Sequence, residues 1–321
     1  MAIGKVLVTG AYGFIGEAYC AHLAAQKIPY VGAVRIRRAR ERRPEIVAVG
    51  DFAATDWTEQ LRAESVASIV HLAARAHRMH DDAPDPGSAY QRGNVDVTRR
   101  LLEAAQAAKV RRVVFASSVK IHGEATPPGV ILRESDPPAP QDDYARSKAE
   151  AEALVRGFGR EHGFETVILR LPLVYGPGVK ANFATLVDAV CKRRPLPLGA
   201  IRNQRSLLGM SNLCTALDAA RTHPLAAGET FFVADGEDVS TPELVRAISE
   251  AFAVRPRLWR WSPRLLLLLA TLALRRDAAS RLLQSFAIDS AKIRRTLGWA
   301  PPLTLADELH RLAQARRHAT S

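Results

Sequence analysis

The residues best equipped for chemistry in this 321-residue sequence stand in one short run, Tyr144-Ala145-Arg146-Ser147-Lys148. Residues i and i+4 of a helix share a face. A lysine one turn beyond a tyrosine can hold a ribose and favour the phenolate, which makes Tyr144 an acid or base near neutral pH. The pattern is common by chance. It gains weight from Phe115-Ala116-Ser117-Ser118 at the end of a predicted strand upstream. The Ser118 hydroxyl can polarise a substrate carbonyl or alkoxide. Plain backbone capping is the competing role for Ser117 and Ser118.

A second constellation opens the chain. Val6-Leu7-Val8-Thr9 reads as a strand and runs into Gly10-Ala11-Tyr12-Gly13-Phe14-Ile15-Gly16, followed by a helical pattern. The first glycine permits the tight turn, the middle one lets backbone approach a pyrophosphate, and the last allows close helix–strand packing. Strand, loop and helix in that order predict a dinucleotide site.

The end of the second predicted strand bears on which dinucleotide. NAD sites place an acid about 20 residues beyond the loop, where it binds ribose hydroxyls. Here Val34 is followed by Arg35, Arg37 and Arg38. The stretch Arg35–Arg43 holds six arginines and one acid. A solvated loop and a phosphate site are both open readings of it. A guanidinium fork suits a 2′-phosphate, so the sequence predicts NADP(H) as preferred cofactor, with NAD(H) as the other possibility.

These residues need a scaffold. Lys5–Thr9, Tyr30–Arg35, Ile46–Val49, Ser68–Leu72, Arg112–Ala116 and Thr166–Leu171 read as strands. Gly16–Gln26, Val95–Ala108 and Tyr144–Phe158 read as helices. Strands alternating with helices imply an α/β fold of the Rossmann type, a doubly wound parallel sheet. Beyond Gly176 the pattern loosens, with helices at Ala181–Lys192 and Asn212–Arg221, a strand at Thr230–Ala234, and a Ser240…Glu243 capping box before a helix Pro242–Ala253. Residues 1–176 are thus expected to form the dinucleotide domain with the catalytic residues. Residues 177–321 form a smaller, mainly substrate-binding region partly interleaved with the sheet.

Composition narrows the classes. Three widely spaced cysteines, with no Cys-x-x-Cys pair, predict neither disulfides nor a metal site, which fits a reducing cytoplasm. The net charge of +12 suits an acidic partner. No nucleic-acid-binding motif accompanies it. The apolar run Leu265–Leu274, flanked by Arg264 and Arg275, is too short for a transmembrane span. It predicts a buried or interfacial helix, with weak membrane contact as an open option.

Together the motifs resemble the extended short-chain dehydrogenase/reductase superfamily, in its nucleotide-sugar epimerase/dehydratase branch. The resemblance runs over nearly the whole chain. It rests on Thr9–Gly16, Gly50-Asp51, His71-Leu72-Ala73-Ala74, Asn94, Ser117-Ser118, Tyr144…Lys148, Val174-Tyr175-Gly176-Pro177-Gly178 and Leu297-Gly298-Trp299-Ala300-Pro301. It implies a catalytic triad of Ser118, Tyr144 and Lys148. It puts Tyr12, Phe14, Ile15, Leu72, Ala73, Ala74 and Leu171 along the cofactor, Asp51 and Phe52 at the adenine, and Asn94 behind the site. It assigns Asn182 and Arg205 to a substrate diphosphate and implies a UDP-sugar substrate. A homodimer through the helices Val95–Ala108 and Tyr144–Phe158 is implied as well.

Departures from the family pattern refine the reaction. The 4,6-dehydratases carry Asp-Glu after the catalytic hydroxyl, whereas Val119-Lys120 stands here. Epimerases commonly carry Val-Tyr-Gly downstream of that serine, where Ile121-His122-Gly123 stands here, and Leu173 replaces the usual Asn before the second Val-Tyr-Gly. Ser-Ser-Val-Lys resembles proteins of bacterial surface-polysaccharide clusters, among them reductases of UDP-4-keto-6-deoxy-N-acetylhexosamines. A 4-ketoreductase of that kind is the first expectation. A UDP-glucose or UDP-N-acetylglucosamine 4-epimerase stands close behind, and a non-catalytic dinucleotide sensor is remote. Lys120 is a candidate sugar or phosphate contact, or a solvated strand-end lysine.

Overall fold

A computed structural model describes residues 4–76, 85–272 and 282–320. Seven parallel strands form the central sheet: β1 (Lys5–Thr9), β2 (Tyr30–Val34), β3 (Ile46–Ala48), β4 (Val66–His71), β5 (Arg112–Ser118), β6 (Glu165–Leu171) and β9 (Thr230–Phe232). Their spatial order is β3-β2-β1-β4-β5-β6-β9. The order reverses between β1 and β4, which by the general rule for such sheets places the ligand crevice beyond the carboxyl ends of those strands. The inner strands are apolar over nearly every position, as strands covered on both faces must be.

Helices cover each face. On one side α1 (Phe14–Ala25) and α7 (Met210–Thr222) pack with Val6, Val8, Val114 and Leu169. On the other, α2 (Trp57–Ala63), α4 (Val97–Ala107) and α5 (Asp143–His162) close over Leu7, Ile69, Phe115 and Ile168. A short helix α3 (Pro86–Tyr90) leads into a π-helical turn, Gln91–Asp96, directly before α4. The predicted helix from Val95 therefore begins two residues later as α-helix. The Thr98 hydroxyl donates to the Asn94 carbonyl at 2.6 Å within that junction.

The second lobe has its own core. α6 (Ala181–Cys191), α8 (Thr241–Ala251) and the C-terminal helices α10 (Ala291–Leu297) and α11 (Leu305–Thr320) accompany a two-stranded sheet of β7 (Leu173–Tyr175) and β8 (Leu207–Gly209). Phe183, Val187, Val245, Ile248 and Leu309 are buried together there. α10 instead inserts Ile293 and Leu297 into the core beside α1 and α7. β9 comes from the second half of the chain yet completes the first sheet. The capping box at Ser240 and Glu243 forms as the sequence predicts. Between these elements lies α9 (Pro263–Leu272). The predicted apolar run thus begins as helix, and its last residues, 273 and 274, lie outside the described residues.

Candidate active site

Gly10 carries φ of +71°, and a Cβ there would stand 2.9 Å from Cα of Ala73. Glycine is required at this point for both conformation and space. At Gly16 a Cβ would come within 2.2 Å of the Gly10 carbonyl oxygen. The missing side chains let the β1 loop lie flat against the loop after β4. The first turn of α1 has no side-chain cap, so its amides face the crevice as donors. This cradle fits a dinucleotide diphosphate.

A buried relay ties that cradle to α5, the helix that carries Tyr144 and Lys148. The amides of Leu72 and Ala73 donate to the Thr9 hydroxyl at 3.1 and 3.0 Å. Thr9 Oγ1 lies 2.7 Å from His71 Nδ1, and His71 Nε2 lies 3.0 Å from Thr98 Oγ1. Because Thr98 already donates to the Asn94 carbonyl, it accepts from His71. The network therefore assigns the proton to Nε2 and makes Nδ1 an acceptor from Thr9. Burial holds the imidazole neutral, its pKa pushed down to about 3, and the Lys148 charge acts in the same direction. Asn94 then accepts from the Arg75 amide at 2.7 Å and donates to the Ser147 hydroxyl at 2.8 Å. Ser147 in turn donates to the Tyr144 carbonyl at 2.8 Å.

The three chemical groups converge at the carboxyl end of β5. Ser118 ends that strand, with its hydroxyl close enough to the Tyr144 phenol to favour its ionised form. The Ser118 hydroxyl also accepts from the Lys120 amide at 3.2 Å. α5 carries Tyr144 and Lys148 in its first two turns. The Asp142 carboxylate caps it by accepting from the Ala145 amide at 2.6 Å. Burial pushes the Tyr144 phenol up to about 12. The Ser118 hydroxyl opposes this, while Asp142 and Tyr90 add to it. Tyr90 meets the Tyr144 ring edge-on with centroids 6.1 Å apart. Lys148 is buried, donates to the Ala116 carbonyl at 2.6 Å, and lies 3.9 Å over the Phe115 ring. Burial pushes its pKa down to about 7, against the pull of Glu152. Its ammonium is anchored on β5, and Tyr144 is shifted by burial, Ser118, Asp142 and Tyr90.

Behind Lys148 lies a charged cluster. Glu152, one turn further along α5, is fully buried and binds Arg170 of β6 at 2.9 Å and Arg156 at 2.9 Å. Burial alone would raise its carboxyl, but the Arg170 hydrogen bond and charge outweigh this and leave it lowered. Arg170 also contacts His122 Nε2 at 3.0 Å and donates to the Glu134 carbonyl at 3.0 Å.

The remaining sequence candidates fall in three places. Arg35 and Asp51 are exposed at the ends of β2 and β3, joined by the Gly50 amide donating to the Arg35 carbonyl at 3.1 Å. Asp51 pairs with Arg92. Arg38 stacks 4.0 Å over the Tyr12 ring and pairs with Glu17 at 3.3 Å. Other members of the arginine stretch bond within it: Arg43 to Glu41 at 2.6 Å and Arg37 to the Arg43 carbonyl at 3.0 Å. Phe52 turns its ring into the core against Trp57. Phe14, Ile15 and Leu72 are half-buried and Leu171 is buried. Ala73 and Ala74 follow β4 at the mouth of the crevice.

On the substrate side, Lys120 is held by Glu124 at 2.7 Å and Asp142 at 3.5 Å, so protein carboxylates occupy it. Asn182 is half-buried in the first turn of α6, next to Ala181 with φ of +54°. Arg205 lies just before β8, its amide donating to the Val239 carbonyl at 3.0 Å, and burial lowers its pKa. Tyr175 of the Val-Tyr-Gly-Pro-Gly motif donates to Asp235 at 2.9 Å and pins β7 to the loop after β9.

Sequence reasoning missed Thr98, Tyr90, Asp142 and the Glu152–Arg170 pair. Asp142 carries a signal, an N-cap acid just before the helix. Glu152 lies at i+4 from Lys148, a spacing that could have drawn attention to it. Tyr90 and Arg170 arrive from distant elements and carry none.

The profile of the NAD dependent epimerase/dehydratase family matches residues 6–234. A UDP-glucose 4-epimerase of Vibrio cholerae is 38% identical over 319 residues, covering 97% of this chain and 95% of that protein. A dTDP-glucose 4,6-dehydratase of Streptomyces antibioticus is 28% identical over 96% of this chain and 90% of its own. Among solved structures, MoeE5 in complex with UDP-glucose and NAD superposes with a TM-score of 0.75 at 26% identity, covering 99% of this chain and 100% of that one.

Proposed function

The chain belongs to the NAD dependent epimerase/dehydratase family, and from that premise we propose that it carries out redox chemistry at C4 of a UDP-linked sugar, with C4 epimerisation as the net reaction. The observation that carries this is the meeting of Ser118, Tyr144 and Lys148 beside the crevice, with no carboxylate at positions 119 and 120. The nearby acids are engaged elsewhere, Glu124 with Lys120 and Asp142 with the α5 terminus. Removal of water across C5 and C6 therefore lacks its acid–base pair.

The nicotinamide, when bound, supplies reversible hydride transfer at C4. Tyr144 takes the proton from the C4 hydroxyl and later returns it. Ser118, beside Tyr144, supports the C4 oxygen as its charge changes. Lys148 fixes the ribose side of the site from its anchor on Ala116. Gly10, Gly13 and Gly16 receive the dinucleotide diphosphate. Asn182 and Arg205 are assigned to the diphosphate of the sugar nucleotide. The 38% identity to a UDP-glucose 4-epimerase supports epimerisation.

A 4-ketoreductase is the second reading, and one observation favours it. No acid stands at the end of β2, while Arg35 and Arg38 are exposed beside Asp51 and Tyr12. That arrangement suits a 2′-phosphate, hence NADP(H), which a net reductase consumes. A homodimer through α4 and α5 belongs to the same proposal.

Purified protein is incubated with UDP-N-acetylglucosamine or UDP-glucose and no added dinucleotide, and the sugar is followed by proton NMR. Appearance of the C4 epimer is the expected result. Net consumption of NADPH on a UDP-4-keto sugar, with no epimer formed, would replace the epimerase by the reductase. A 4-keto-6-deoxy product would overturn both.

A further inference from the structure

One surface of the second lobe is built unlike the rest. The segment Leu196–Gly199 hydrogen-bonds to the segment 257–259: the Leu196 amide donates to the Arg257 carbonyl, and those of Trp259 and Gly199 to the Leu196 and Trp259 carbonyls, each at 2.8 Å. A Cβ on Gly199 would lie 2.9 Å from the Trp259 carbonyl oxygen, so the two segments touch backbone to backbone. Leu258 and Leu266 turn inward to the lobe's core. Their neighbours turn outward: Trp259 is 47% exposed, Trp261 38% and Leu265 45%. Arg257, Arg260 and Arg264 are exposed among them. The basic turn Lys192–Arg194 runs directly into the same ladder. Neither residues 189–204 nor residues 251–272 contain an acid.

We propose that this face, centred on Trp259, Trp261, Leu265, Arg260 and Arg264, docks the protein peripherally on an anionic phospholipid surface. Scattered exposed apolar residues need no explanation. Two tryptophans and a leucine interleaved with arginines do. Tryptophan rings sit at the boundary between headgroups and acyl chains. Arginine stems lie along apolar surface while their guanidinium groups reach phosphates. Apolar contact and attraction to anionic lipid add in such a patch. No helix among the described residues is long and apolar enough to cross a membrane, so the attachment lies on the surface. A second copy of the chain is a poor occupant, because a two-fold contact would set acid-free arginine clusters against each other. A nucleic acid would use the charge and leave Leu265 and the indoles unused.

The full chain is mixed with vesicles of phosphatidylcholine alone or with phosphatidylglycerol, then sedimented. Binding to the phosphatidylglycerol vesicles only, weakened by salt, is expected. Trp57 and Trp299 are buried, so lipid contact is reported by a blue shift of the exposed pair and by quenching from brominated acyl chains. R260E/R264E should lose well over an order of magnitude in vesicle affinity, given about fivefold per cation near an anionic surface. W259S/W261S should lose the blue shift. Both should keep the wild-type unfolding midpoint. The proposal is overturned by failure to bind at millimolar anionic lipid, by binding that both variants retain, or by binding without any tryptophan shift that an oligonucleotide abolishes.

Discussion

The Asn94 side-chain amide donates to the Ser147 hydroxyl at 2.8 Å and joins the loop after β4 to the helix that carries Tyr144 and Lys148. Asn94 is 2% exposed, and its carboxamide oxygen also holds the Arg75 amide. Asn94→Ala would strand both partners in a buried setting. The cost of such orphaned groups is about 1–3 kcal/mol, readable by urea unfolding. Turnover should fall together with stability, because Tyr144 loses the tie that fixes its first turn. A variant with unchanged turnover would show that this tie is structural only.

Tyr144→Phe keeps the ring against Tyr90 and removes only the hydroxyl. If Tyr144 moves the proton, kcat should drop by about 10²–10⁴ while dinucleotide binding persists. Ser118→Ala should follow with a smaller loss. Isothermal titration alongside steady-state kinetics separates binding from turnover. Full turnover by the phenylalanine variant would remove Tyr144 from the proton path.

Much of this was legible in the sequence because it is local. The glycine loop is readable since the positive φ of Gly10 and the contact of Gly16 with the Gly10 carbonyl both arise within one strand–loop–helix unit. The strands were found because buried parallel strands are apolar throughout. The π turn Gln91–Asp96 was not, because it differs from an α-turn only in hydrogen-bond register. The short β7–β8 pair was missed because its partners are far apart in the chain. Lys120 reads as a free cation in sequence, whereas the fold brings Asp142 to it from another element. The buried Glu152–Arg170 pair likewise depends on α5 crossing β6.

Arg35 bears on cofactor choice. Arg35→Asp would supply the acid that β2 lacks at its end. NADP(H) affinity should fall about tenfold, the worth of one charge-assisted hydrogen bond to a phosphate, and NAD(H) affinity should hold or rise. Titration of each dinucleotide by protein fluorescence gives the ratio. Equal NADP(H) affinity in wild type and variant would return the arginine stretch to the role of a solvated loop.

Glu152→Gln tests the cluster behind the site. Arg170 would remain buried without its carboxylate, a change that costs about 3–5 kcal/mol in comparable buried pairs. The unfolding midpoint should fall accordingly. A loss below about 1 kcal/mol would mean that Glu134 and His122 satisfy Arg170 without Glu152.

Lys148 couples stability to pH with a definite sign. Its folded pKa is pushed down to about 7 from an ordinary 10.5. Between those values the unfolded chain holds a proton that the folded chain does not. Stability therefore rises with pH across this window, by about 1.4 kcal/mol per pH unit for one full proton. Below about 7 both states hold the proton, and the folded state bears the whole cost of the buried ammonium. Lys148→Met removes the group, and with it the slope. Denaturant unfolding of both proteins at pH 8 and pH 9 isolates the term. The wild type should gain on the variant by about 1.4 kcal/mol over that unit. Parallel curves would mean that Lys148 keeps its proton in the fold, stabilised by Glu152 and the Ala116 carbonyl beyond what burial takes away.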